Sequence, residues 1–62
     1  MTDADRIEAL LDIVDGTRAE SRAQSEKLAV LGYVVRRGRN RFWPTNAGWN
    51  FLGDRGRAFD VT

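Results

Sequence analysis

The sequence predicts an α+β fold of two to three helices with one two-stranded antiparallel hairpin, and three observations predict it. Apolar residues recur at helical spacing near the start of the chain, at Ile7, Leu10, Leu11 and Val14. A β-branched and aromatic run, Tyr33-Val34-Val35, is followed by Gly38-Arg39-Asn40 and then by Arg41-Phe42-Trp43; this is the pattern of strand, turn and returning strand. Gly16, Gly32 and Gly53 fall where three helices would stop.

The first helix is expected over residues 3–15. Its apolar stripe is about 100° wide, Thr2 is placed to cap it, and Asp5 completes a capping-box pattern. Asp5, Glu8, Asp12 and Asp15 lie within about 80° of one another on the opposite side. That strip reads as a solvated polar face, or as an acidic surface for a basic partner. Thr17 is expected to cap a second helix ending at Leu31, with Ala19, Ala23 and Val30 on one side, extended by Leu28 and Leu31; Glu20 and Lys27 interrupt that arc, so burial is expected over the last turns. A separate stripe on that helix holds Arg18, Arg22, Ser25 and Ala29 within about 60°. Small and basic residues so spaced can approach a nucleic-acid backbone closely, although a solvated face accounts for the stripe by itself.

In the hairpin, a loop of Gly38, Arg39 and Asn40 sets Arg37 opposite Arg41 and Val35 opposite Trp43, with Arg36 and Phe42 on the other face. Four arginines (36, 37, 39 and 41) fall within six positions at this tip. Like charges placed opposite one another destabilise a hairpin, so the tip is not arranged for stability alone and points to an anionic partner. Pro44 ends the return strand, and Thr45 can cap a short third helix through Leu52. Gly48 inside that helix lowers its intrinsic helicity and implies close packing against another element. Trp49 and Leu52 are expected to face the core, with Phe51 pointing elsewhere. Residues 1–53 are expected to form one domain and 54–62 a tail, either loose or adding a short strand through Phe59 and Val61.

Composition narrows the function. A chain of 62 residues buries only about 60% of the surface its unfolded form exposes, which leaves little volume for a water-excluding pocket. There is no Cys and no His, so disulfides and the usual zinc ligands are absent, and no glycine-rich phosphate loop occurs. No catalytic role, no cofactor and no metal are expected. No apolar run approaches the roughly 20 residues of a membrane span, and the first residues are acidic where a signal peptide is basic. A soluble, cytoplasmic chain is therefore expected. The net charge of +1 conceals an asymmetry: residues 1–32 carry seven acids and four bases, residues 33–62 six arginines and two aspartates.

The segment from Leu28 to Leu52, LAVLGYVVRRGRNRFWPTNAGWNFL, resembles the C-terminal half of a winged helix-turn-helix domain. The resemblance rests on Leu28, Leu31-Gly32-Tyr33-Val34, the hairpin 34–43, and Thr45-Asn46-Ala47-Gly48 followed by Trp49, Phe51 and Leu52. In that family a recognition helix passes directly into a two-stranded wing, and a Thr-x-x-Gly segment opens the last helix. The chain departs from the family pattern between Gly16 and Gly32, where 15 residues leave room for one helix of about 22 Å. The supporting helix is either missing or reduced to a turn around Thr17-Arg18-Ala19. The resemblance implies a small winged-helix-like domain that binds double-stranded DNA, with Arg22, Ser25 and Lys27 on the DNA-facing helix and Arg36, Arg37, Arg39 and Arg41 on the wing. Arg18 and Asn40 extend that expected set. A regulatory or accessory role follows, and a homodimer would supply the further phosphate contacts.

A second expectation is a protein-interaction module on the same scaffold. Its contacts would be Trp43, Trp49, Phe51 and Phe59, because interface cores favour aromatic residues and Arg. In size the chain resembles accessory proteins of phages and mobile elements, some of which inhibit larger complexes.

Overall fold

A computed structural model describes residues 1–39 and 41–60. Helices α1 (Asp3–Val14) and α2 (Arg22–Leu31) precede strands β1 (Val34–Arg36) and β2 (Phe42–Pro44). Helix α3 (Asn46–Leu52) then runs into a 3₁₀ turn, Gly53–Gly56. The result is the expected small α+β domain, winged-helix-like in its order of helices and antiparallel hairpin.

Helix α1 starts as its sequence indicates. Thr2 Oγ1 accepts the Asp5 N–H at 3.1 Å, and the Asp5 carboxylate accepts the Thr2 N–H at 3.2 Å, closing a capping box. Its end differs from expectation. Gly16 is not among the left-handed glycines; the chain turns instead on the Asp15 carboxylate, which accepts the Thr17 N–H at 3.0 Å and the Thr17 hydroxyl at 2.7 Å. Short acidic side chains favour such turns because they imitate a backbone carbonyl. With its hydroxyl committed to Asp15, Thr17 does not cap α2. Ser21 does, accepting the Gln24 N–H at 3.4 Å, so α2 begins only at Arg22. The segment between the two helices is a turn, with the Arg18 N–H on the Asp15 carbonyl at 3.0 Å.

The buried side of α2 is only partly the expected one. Ala19 and Ala23 are exposed, and Val30 is 88% exposed. Leu28 is buried as expected, Leu31 is 48% exposed, and Ser25 and the half-buried Ala29 face inward with Leu28. Gly32 ends the helix at φ 86°, in the left-handed region that glycine enters without a Cβ penalty, and the Tyr33 N–H closes on the Leu28 carbonyl at 3.0 Å.

The hairpin has the expected register, with Val34 opposite Pro44, Val35 opposite Trp43 and Arg36 opposite Phe42. The Arg37 N–H donates to the Arg41 carbonyl at 2.8 Å, extending the ladder to the tip. Val34, Phe42 and Pro44 are buried, whereas Val35 is half exposed. Together with Ala9, Leu10, Leu28 and Leu52, Val34 and Phe42 form the core, and Leu10 and Leu28 are fully buried. Each such leucine contributes roughly 1.5–3 kcal/mol by leaving water.

Thr45 joins the two halves of the chain. Its hydroxyl accepts the Gly48 N–H at 3.3 Å and donates to the Gly32 carbonyl at 2.8 Å, and its own N–H donates to the Tyr33 carbonyl at 2.9 Å. Gly48 is pressed so closely against the Tyr33 carbonyl that a Cβ there would overlap it, confirming the close packing that its position implied. Phe51 stacks at a tilt on Tyr33, with ring centroids 4.9 Å apart, so it packs against the core as Trp49 does. Beyond Gly53, Gly56 is buried against Leu52 and Trp49, and the Phe59 N–H returns to the Gly56 carbonyl at 3.0 Å. The short strand expected through Phe59 and Val61 involves Val61, which lies outside the described residues. Among the described residues, no helix is long and apolar enough to cross a membrane.

Candidate functional site

Side chains alternate across a strand pair, so the hairpin has two chemically different faces. Val34, Phe42 and Pro44 turn to the core, and Arg36 lies over the Phe42 ring, its guanidinium 5.4 Å from the ring centroid. Val35, Arg37, Arg41 and Trp43 share the other face, and Arg39 stands exposed at the tip. Among the described residues, none of Arg36, Arg37, Arg39 and Arg41 forms an ion pair. Among the described residues the hairpin therefore presents four guanidiniums without an ion pair, and Arg36 is held by the Phe42 ring.

The other basic residues of the expected set are placed differently. Arg18 is committed to the molecule's own acids: its guanidinium lies 2.6 Å from Glu8, 3.4 Å from Asp12 and 3.6 Å from Asp15. The cause is local. Glu8 and Asp12 repel as like charges one turn apart, and Asp15 sits at the negative end of the α1 dipole. Hydrogen bonds to Glu8 and Asp12 raise the Arg18 pKa still further, so its charge is permanent. Thr17's hydroxyl and N–H, with Arg18 behind them, hold the Asp15 carboxyl below its ordinary value of 3.8. Ser25 is 1% exposed, and its hydroxyl donates to Glu20 at 3.1 Å, so it cannot reach a groove as the expected DNA-facing helix requires. Arg22 is exposed and pairs with Glu26 at 3.3 Å, and Lys27 is exposed. Asn40 lies outside the described residues.

Sequence reasoning missed the meeting of the two tryptophans. Trp43 and Trp49 form an edge-to-face pair with ring centroids 5.8 Å apart at 71°. The Thr45 cap seats α3 directly after β2, which brings Trp49 back towards the end of the strand that carries Trp43. Both rings are half-buried.

Two open clefts flank Trp43. One, of about 470 Å³, lies between the hairpin and the end of α1, with Asp12, Asp15, Arg18, Arg37 and Arg41 in its lining. The other, of about 670 Å³, is lined by Val35, Arg37, Trp43, Asn46, Trp49 and Asn50 among others. Arg37 and Trp43 belong to both. The arrangement thus offers cations beside flat apolar surface. Of the residues expected at a protein interface, Trp43, Trp49, Phe51 and Phe59 are each half-buried. Comparison with known proteins gave no family model, no curated protein and no solved structure that matches this chain.

Proposed function

We propose that the chain is a small DNA-binding module whose hairpin makes the principal contact, with Arg22 and Lys27 of α2 as secondary contacts. The observation that carries this reading is the set of four hairpin guanidiniums without ion pairs among the described residues, in a chain with nine acids. Eight of those acids have side chains with partners elsewhere, and Arg18 alone draws together three of them. A free guanidinium offers five donors in a planar fork that matches phosphate. Each phosphate neutralised releases counterions, so affinity falls steeply with salt. Contacts of this kind position a protein on a duplex without reading sequence. With Ser25 withdrawn, base readout by α2 rests on Arg22 and Lys27, which favours an accessory or architectural role over sequence-specific regulation. The chain offers few phosphate contacts by itself, and a homodimer doubles them.

The test is a fluorescence-anisotropy titration of random duplex DNA at low and at raised salt. Binding that weakens strongly with salt is expected; no binding at low salt refutes the reading.

One observation favours a second reading, a protein-interaction module. Val30 at 88% exposure and Leu31 at 48% lie beside Met1 at 38%, forming with Arg6 and Lys27 an open apolar depression of about 310 Å³. Light scattering of the native chain and of Val30→Asp tests its simplest form, contact between two copies. Concentration-dependent association that the substitution abolishes is the outcome this reading expects.

A further inference from the structure

We infer that the cleft walled by Trp43 and Trp49 takes an unpaired nucleobase, so that the molecule engages single-stranded or frayed nucleic acid in preference to closed duplex. This inference rests on the DNA-binding reading and goes beyond it, because phosphate contacts alone do not distinguish the two forms. Three features of the cleft carry it. Its volume, about 670 Å³, falls within the roughly 300–1,000 Å³ of small-ligand sites. The apolar residues in its lining are the two tryptophans, Val35 and Pro44. An edge-to-face pair covers one ring face with the edge of its neighbour, which leaves flat aromatic surface for a third ring.

Its polar groups suit the edge of a base. Asn46 and Asn50 are exposed, and each side chain offers an amide donor and a carbonyl acceptor. Asp60, the acid in this lining, accepts hydrogen bonds only, as an exocyclic amino group requires. Arg37 belongs to this cleft and to the neighbouring one, where Arg41 joins it. The phosphates on either side of a seated base therefore meet cations that have no ion pair within the described residues. A base inside a duplex is stacked on both faces and cannot enter such a cleft. An unpaired base has both faces available, and aromatic platforms combined with a basic groove are the general means of holding single strands.

The test uses the native chain and two single strands of equal length and phosphate count, an oligodeoxycytidine and an abasic phosphodiester. The only two tryptophans in the sequence line this cleft, and Trp43 also borders its neighbour, so intrinsic tryptophan fluorescence reports on this surface of the hairpin. The expected result is that the oligodeoxycytidine binds at least about fivefold more tightly than the abasic strand, the effect of one stacked base, and quenches the fluorescence. Equal affinity for both strands without quenching overturns the inference while leaving the arginine contacts intact. Failure of either strand, and of duplex, to bind at low salt overturns the DNA-binding reading and the inference with it.

Discussion

Replacing Gly48 by Ala tests how α3 is seated, and the expected effect is opposite in sign to the usual one. In an unconstrained helix interior Gly→Ala is stabilising by about 1 kcal/mol. Here the added Cβ would overlap the Tyr33 carbonyl oxygen and lie 3.1 Å from Pro44 Cβ and 3.2 Å from the Tyr33 carbonyl carbon. Two of the three obstacles are backbone atoms, which cannot swing aside as a flexible side chain can. To restore an ordinary C···O contact of about 3.3 Å, the helix must withdraw. Withdrawal strains the two bonds that hold α3 to the end of α2, from Thr45 N–H to Tyr33 at 2.9 Å and from Thr45 Oγ1 to Gly32 at 2.8 Å. Losing both removes about 2 kcal/mol, and overpacking adds roughly 1–3 kcal/mol. Set against the helical gain, the net destabilisation is about 2–4 kcal/mol. A domain of this size melts about 4–8 °C lower per kcal/mol, so Gly48→Ala lowers the midpoint by more than about 8 °C in a circular dichroism melt. A variant as stable as the native chain, or more stable, refutes this seating of α3.

Other consequences concern the site and its surroundings. Ser25→Ala costs about 1 kcal/mol in urea unfolding through the lost bond to Glu20 and leaves DNA affinity unchanged; a selective loss of DNA affinity would return Ser25 to the binding face. Arg18→Ala lowers the melting temperature at low ionic strength, with the difference narrowing at high salt as the carboxylates of Glu8, Asp12 and Asp15 are screened; a salt-independent loss would mean that Arg18 acts by packing. The Thr17 bonds, with a smaller part from Arg18, depress the Asp15 pKa, and those to Thr2 depress that of Asp5. Their stabilisation is present above the ordinary value of 3.8 and is lost as pH falls through the lower folded values. Thr17→Val, which removes the largest cause at Asp15, therefore moves the acid unfolding midpoint to higher pH in a circular dichroism titration; an unmoved midpoint would remove Asp15 from the acid response.

Local rules made some elements legible and hid others. The hairpin register followed from a two-residue alternation with Gly38 at the tip, and that alternation also placed Arg37, Arg41 and Trp43 on one face. The start of α1 followed from Thr2 and Asp5, whose bonds depend on their nearest neighbours only. The start of α2 was not legible. Thr17 has the chemistry of a cap, but Asp15 competes for the same hydroxyl. Its buried face was partly misread for a different reason. Leu28 is buried as its spacing indicated, but Ser25 is buried through a polar partner that precedes the helix and Val30 is left outside, so hydrophobic spacing did not reveal the rest of that face. The commitment of Arg18 to α1 joins residues six and ten positions apart across a turn, beyond what the spacing within either helix reveals. The tryptophan pair was only partly within reach: the Thr45 cap with Trp49 four residues later indicates that Trp49 returns towards Pro44, and the contact with Trp43 depends on how α3 leaves the strand.

The central claim is that the hairpin arginines are free to neutralise phosphate. Its most direct test is the slope of log affinity against log salt for random duplex, measured for the native chain and for Arg37→Ala, Arg39→Ala and Arg41→Ala. Each substitution at a phosphate contact reduces the slope by about 0.9. A slope that is the same in all four proteins would contradict the claim.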